Sequence, residues 1–245
     1  MKLRGKNILV TGAGGGIGTA LVRALLEQGA EKIYAAARNT AALAQMTQLE
    51  PRLIPVQLDI TEAASVEDAA RQCSDVDVLI NNAGVNRCAG LLSADAMAAA
   101  REEMEVNYFG TMAMCRAFAP IMTKRGNGLI ANVCSIIGLV NLPVNGTYCA
   151  SKAAGHSLLQ GLRAELAPKG VTVVGIYPGP VDTPMTDGQE MPKANPVEVA
   201  SYIVAGLVNG EEEIFPDPMS QNVHRQLVAD AKQVEKQFAT MIPGE

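Results

Sequence analysis

Tryptophan is absent from this chain and aromatic residues make up only 4% of it, so aliphatic side chains, alanine and methionine must fill its core. Long apolar runs are missing as well. The longest candidate, 129–140, is interrupted by Asn132 and Ser135, short of the roughly 18 residues that a membrane-spanning helix needs. Basic residues near the N-terminus lead straight into a glycine loop rather than an apolar stretch, which argues against a signal peptide and for a cytoplasmic protein. There is no excess of positive charge: a net charge of −5 argues against nucleic acid or an anionic membrane as a main partner. The only histidines, His156 and His224, are isolated from each other. The five cysteines (Cys73, Cys88, Cys115, Cys134, Cys149) are odd in number and lack paired spacing. Neither a metal site nor a disulfide frame is expected.

What remains is a chain of 245 residues, 48% hydrophobic and 18% charged, enough to bury a core in one α/β domain spanning 1–245. Strand-length apolar runs at 7–10, 32–36, 53–60, 76–80, 128–133 and 171–176 alternate with helical patterns, and 213–216 reads as a brief edge strand. The helices are expected from the end of the glycine loop to Gly29, from a cap at Thr61, over 97–124, 148–167 and 196–209, and along an amphipathic tail at 221–241. No internal repeat interrupts this alternation, which predicts an α/β fold: a doubly wound parallel sheet of about seven strands with helices on both faces.

The first strand opens into Thr11, Gly12, Ala13, Gly14, Gly15, Gly16, Ile17 and Gly18, followed at once by a helix. Glycines in that context let the backbone approach a pyrophosphate, and the helix N-terminus favours the anion. The second strand ends at Ala37-Arg38-Asn39-Thr40, with no acidic residue to bond a ribose. Arg38 suits a 2′-phosphate, with Asn39 beside it, and NADP(H) is favoured while NAD(H) stays open. Alternatively, Arg38 is an ordinary surface residue at a strand end. Asp59 and Ile60 are placed to meet an adenine, although Asp59 serves equally well to start the next helix. Asn82, Ala83 and Gly84 end the fourth strand with small residues that a ribose or nicotinamide could approach. After the sixth strand, Pro178, Gly179, Val181 and Thr183 form a turn able to meet a carboxamide. Residues 186–195 read as a short substrate lid.

The chemistry centres on Ser135 and on Tyr148-Cys149-Ala150-Ser151-Lys152. On a helix, Tyr148 and Lys152 share a face. A phenol titrates near ~10, so acid–base work near neutrality calls for roughly 3 units of stabilisation, about 4 kcal/mol, which a neighbouring cation supplies in part. Ser135 could bond the same substrate oxygen, and the trio suits proton transfer to a carbonyl. Flanking residues Val85, Ile136, Val140, Leu142, Val144, Met185 and Met191 are apolar, Asn86 and Asn145 add polarity, and no arginine cluster awaits a phosphate or carboxylate.

In this order and spacing, these pieces resemble the short-chain dehydrogenase/reductase family over nearly the whole chain, and the resemblance implies a single-domain Rossmann-type fold. It also implies that Tyr148 is the proton donor in reduction, that Lys152 lowers its pKa and holds the nicotinamide ribose, and that Ser135 orients the substrate. Asn107 would hold a water between Lys152 and solvent. The implied partner is a small-molecule carbonyl or alcohol substrate, and the implied assembly a homodimer or homotetramer through the helices at 101–125 and from Tyr148 onward. Two features depart from the pattern: Gly15 stands where NADP-preferring members often carry a basic residue, and Tyr177 stands where asparagine is common. An NAD-dependent alcohol, sugar or steroid dehydrogenase is the alternative activity, and a non-catalytic nucleotide sensor a remote one.

Overall fold

Successive residues of the inner strands belong to different apolar layers. Ile8, Val10, Val78, Ile80, Leu129 and Ala131 pack into one buried cluster, while Leu9, Leu79 and Ile130 between them pack into another. Side chains alternate along a strand, so both faces of these strands are buried, as a parallel sheet covered by helices requires. In the computed structural model, which describes residues 2–241, β1 (Asn7–Thr11), β2 (Lys32–Ala37), β3 (Leu53–Gln57), β4 (Val78–Asn81), β5 (Gly128–Val133), β6 (Val171–Ile176) and β7 (Glu213–Ile214) form a single sheet. Their order is β3-β2-β1-β4-β5-β6-β7, and every pairing is parallel. Residues 1 and 242–245 of the expected 1–245 domain lie outside the described residues.

Helices α1 (Gly16–Glu27) and α7 (Pro196–Asn209) supply one layer through Leu21, Val22, Leu25, Ile203 and Leu207. The other is built from α3 (Ala63–Gln72), α5 (Thr111–Arg125) and α6 (Gly146–Leu166), through Val66, Phe118, Met122 and Leu159. A short α2 (Ala44–Leu49), α4 (Ala96–Met104) and α8 (Pro218–Ala239) complete the set. The chain leaves β1 toward β3 at one edge and returns to β4 on β1's other side. That reversal opens a crevice at the carboxyl ends of β1 and β4, where open sheets of this kind bind ligands.

Several boundaries differ from the sequence expectation, each for a local reason. The strand expected over 53–60 ends at Gln57; Leu58 still donates to the Ala37 carbonyl at 3.0 Å, but Asp59 and Ile60 leave the sheet. Thr61 does not cap α3. Glu62 does, without a side-chain bond, while the Thr61 hydroxyl donates to Asp59. The helix expected over 97–124 is divided by a π-helical turn, Glu105–Gly110. The tail helix starts at Pro218, ahead of the expected 221, because Asp217 caps it, and its course is broken at Asp230.

Candidate active site

The loop between β1 and α1 is shaped by what its glycines lack. Gly12 (φ 64°) and Gly16 (φ 47°) are left-handed, and a Cβ would press on the Ala83 backbone at 3.0 Å or on the Thr183 side chain at 3.1 Å. Gly18 serves packing: a Cβ there would stand 2.1 Å from the Gly12 carbonyl oxygen, so its absence lets α1 close against the end of β1. It lies behind the cleft rather than on its wall, which corrects its expected place at a cofactor. Thr11 Oγ1 accepts the N–H groups of Asn82 and Ala83, both at 3.0 Å. The Asn82 amide donates in turn to the Thr11 and Gly12 carbonyls at 2.9 and 3.2 Å. The ends of β1 and β4 are thereby locked together.

Ser135 follows β5, and Tyr148 and Lys152 stand on the first turns of α6; all three are buried. Lys152 Nζ donates to the Val133 carbonyl at 2.9 Å and lies 5.5 Å from the centre of the Tyr148 ring. Gly84 and Gly138 leave room for it, since a Cβ would come 3.4 Å from Nζ in the first case and 2.9 Å from the Lys152 carbonyl carbon in the second. The Ser135 hydroxyl donates to the Pro178 carbonyl at 3.3 Å. Burial pushes the Tyr148 phenol above its ordinary pKa, against the pull of its hydrogen bond with Ser135, and pushes the Lys152 ammonium down. The Lys152 ammonium is held by the Val133 carbonyl, and desolvation is the largest influence on the phenol.

Asn107 sits in the π-helical turn. Its Oδ1 accepts the Val85 N–H, and its Nδ2 donates to the Val85 carbonyl and the Ser151 hydroxyl, each at 2.9 Å. Ser151 passes the contact on to the Tyr148 carbonyl at 2.8 Å. Asn107 lies behind Gly84 rather than on the cleft wall, so it braces the site from beneath.

A cleft of about 850 Å³ brings together Gly12, Gly15, Gly16, Ile17, Asn82, Ala83, Gly84, Ser135, Tyr148, Lys152, Pro178, Gly179, Val181 and Thr183. A second lobe of about 520 Å³ shares Gly12, Gly15, Ala83 and Gly84 with it and adds Gly14, Arg38, Asn39, Asp59 and Ile60. In that lobe the Asp59 carboxylate accepts the Thr61 hydroxyl at 2.7 Å and its N–H at 3.0 Å, which holds its pKa below the usual carboxylate value. The Asn39 side chain accepts the Ala41 N–H at 2.9 Å. Arg38 is exposed and makes no ion pair among the described residues, while the nearby Glu102 is held by Arg87.

A family model described as short chain dehydrogenase matches residues 6–193. The chain belongs to the short-chain dehydrogenase family. It is an oxidoreductase of that family, and its relatives agree. An uncharacterised oxidoreductase from Staphylococcus epidermidis is 34% identical over 219 residues, covering 84% of this chain and 92% of its own length. A short chain dehydrogenase from Burkholderia cenocepacia, solved in complex with NADP, is 41% identical, covers 100% of both chains and superposes with a TM-score of 0.92. Another from Burkholderia phymatum, in complex with NAD, is 26% identical over 95% of this chain and 96% of that one, with a TM-score of 0.83.

The short-chain dehydrogenase cleft fits an extended dinucleotide: two joined lobes meet at side-chain-free Gly12, Gly15 and Gly84, and Gly15 caps α1, whose first amides can meet a pyrophosphate. Of the expected substrate wall, Ile136, Leu142, Val144, Met185, Met191, Asn86 and Asn145 line the cleft. Val85 faces the second lobe instead, and Val140 is buried against α8. Sequence reasoning missed Asp217. Its buried carboxylate accepts the Gly179 N–H at 2.7 Å and the Ser220 N–H at 2.9 Å, so one side chain fixes the turn after β6 and starts α8. The signal was the capping pattern Asp217-Pro218-Met219-Ser220 ahead of an amphipathic run. Phe238 and Met241 were missed too, because only the break in α8 carries the tail back to the cleft.

Proposed function

We propose that the chain is an NADP(H)-preferring reductase of ketones or aldehydes, with Ser135, Tyr148 and Lys152 as its catalytic set and Asn107 as their support. A nicotinamide, when bound, would supply the hydride that the carbonyl carbon needs. Tyr148 gives its proton to the carbonyl oxygen, so a C=O becomes a CH–OH, and the phenol is restored from solvent. Ser135 holds the same oxygen. Lys152 stabilises the phenolate as it forms and would hold the ribose hydroxyls of the cofactor. The observation carrying this reading is the convergence of these three side chains on the cleft that also holds the glycine loop.

Arg38 supports NADP(H), as an uncommitted cation where an acidic residue would favour NAD(H); the similar Burkholderia cenocepacia protein was solved with NADP. The NAD-bound relative favours a second reading, an NAD-dependent alcohol dehydrogenase. Titrating both reduced cofactors, then following loss of nicotinamide absorbance across a panel of carbonyl compounds, tests the two together. Tighter NADPH binding and reduction are expected; carbonyl-independent absorbance with every compound contradicts the reading. Arg38→Asp should weaken NADPH selectively, and an unchanged preference ratio would refute the phosphate contact.

The same proposal treats the chain as one domain with a lid at 186–195. Its base is tied down where Asp182 donates to the Ala194 carbonyl and Ala194 to that of Pro180, each at 2.9 Å. Exposed Met97 and Phe109 on the α4–α5 side support a homodimer or homotetramer through that face. No helix among the described residues is long and apolar enough to cross a membrane, and all five cysteines are free, which supports a cytoplasmic setting.

A further inference from the structure

Four methionines stand at the mouth of the cleft, drawn from separate parts of the chain. Met185 and Met191 come from the segment after β6, Met219 from the first turn of α8, and Met241 from just beyond its end. Each is between 39% and 43% exposed, while Phe238 beneath them is buried. The break at Asp230 makes this possible. Its carboxylate accepts the Gln233 N–H at 3.0 Å, restarting the helix in a new direction, and Val234 and Phe238 pack against Ile136 and Val140 behind the catalytic loop.

The wall below is as notable for its charges. Charged residues are 18% of the chain, yet among the described residues Lys152 alone of the Asp, Glu, Lys and Arg side chains lines this lobe, and its ammonium is already held by Val133. The remaining polar side chains, such as Asn86, Asn145 and Gln189, are neutral. A carboxylate or phosphate entering here would shed water and find no cation to replace it. Thioethers are unbranched and polarizable, so they reshape around apolar groups of varied outline better than branched side chains do. Exposed singly they would mean little, but gathered around one opening they mark a place where apolar surface is covered on binding.

Building on the proposed carbonyl reduction, we infer that the substrate is an uncharged carbonyl compound with a flexible apolar arm, gripped by a collar of Met185, Met191, Met219 and Met241. Charged keto acids and phosphorylated sugars are excluded. The carbonyl lies at Ser135 and Tyr148 and the arm runs outward between the lid and the end of α8.

The test uses straight-chain methyl ketones of increasing length beside ketones of equal length ending in a carboxylate. Calorimetric binding to the full-length protein loaded with oxidised cofactor is read alongside kcat/KM. Affinity and kcat/KM should climb by about fourfold per methylene while the arm stays within the cleft, and each carboxylate should be at least about tenfold poorer than its neutral partner. The paired substitution Met219→Lys and Met241→Lys should shrink that gap severalfold or reverse it. Length-dependent binding without turnover supports the collar and removes the reductase reading. Reduction of short ketones with no gain from length, equal use of the carboxylates, or binding of neither series overturns the collar.

Discussion

Gly15 is the residue at which cofactor choice can be altered most simply. It caps α1 in an extended conformation (φ −147°), and a Cβ built on it meets nothing within 4 Å. Gly15→Arg should therefore fold normally and place a second cation beside Arg38. The ratio of NADP(H) to NAD(H) affinity should rise by about tenfold or more, as one added charge-assisted bond provides; fluorescence titration of both reduced cofactors measures it. The buried phenol sets a second expectation. Its raised pKa keeps Tyr148 protonated through neutral pH, so carbonyl reduction should be flat there. Alcohol oxidation needs the deprotonated form and should gain up to about tenfold per pH unit on the approach to that pKa. Initial rates in both directions across pH give the comparison.

Among the elements, the turn after β6 and the helix α8 depend on one carboxylate. Asp217→Ala leaves the half-buried Gly179 N–H and the buried Ser220 N–H without an acceptor, a loss of about 2–4 kcal/mol of stability. Cofactor affinity should weaken with it, because Gly179 lines the cleft; Asp217→Asn keeps one acceptor oxygen but turns an NH2 toward the second N–H, so it should restore only part of each. Denaturant unfolding and cofactor titration read the two effects separately. The strands, the glycine loop and the Tyr148–Lys152 pair were legible in the sequence because each rests on local pattern: alternation, a strand–turn–helix junction, residues on one helical face. The π-helical turn was not. Its apolar pattern reads as continuous helix, and the distortion serves contacts with Val85, Ser151 and Ile60 that are remote in sequence. The burial of Tyr148 and the Val133 carbonyl that holds the Lys152 ammonium were not legible either, since spacing reveals the pair but not what packs around it. Tyr177, which stands where the family pattern has asparagine, is wholly buried, bonded to His156 at 2.7 Å and stacked on Phe215.

At the scale of the whole molecule, the aromatic-poor core uses cysteine as a small apolar filler. Cys73, Cys115, Cys134 and Cys149 are buried, and only Cys88 is exposed. Burial pushes Cys73 and Cys115 to about 12 and Cys134 and Cys149 to about 11. An unfolded thiol ionises near 9, so between that pH and 11–12 the unfolded chain releases protons that the folded chain retains. Their contribution to stability is intact below pH 9 and falls by roughly 1.4 kcal/mol per thiol per pH unit above it. Thermal unfolding should show a steep alkaline loss, and a thiol reagent at neutral pH should label one cysteine quickly and four only on unfolding. The central claim, that Tyr148 delivers the proton in a cleft built to hold a dinucleotide, is tested most directly by measuring cofactor affinity and carbonyl turnover together in Tyr148→Phe. The account predicts near-unchanged affinity with turnover lowered by about a hundred- to ten-thousandfold; turnover close to that of the unaltered protein would contradict it.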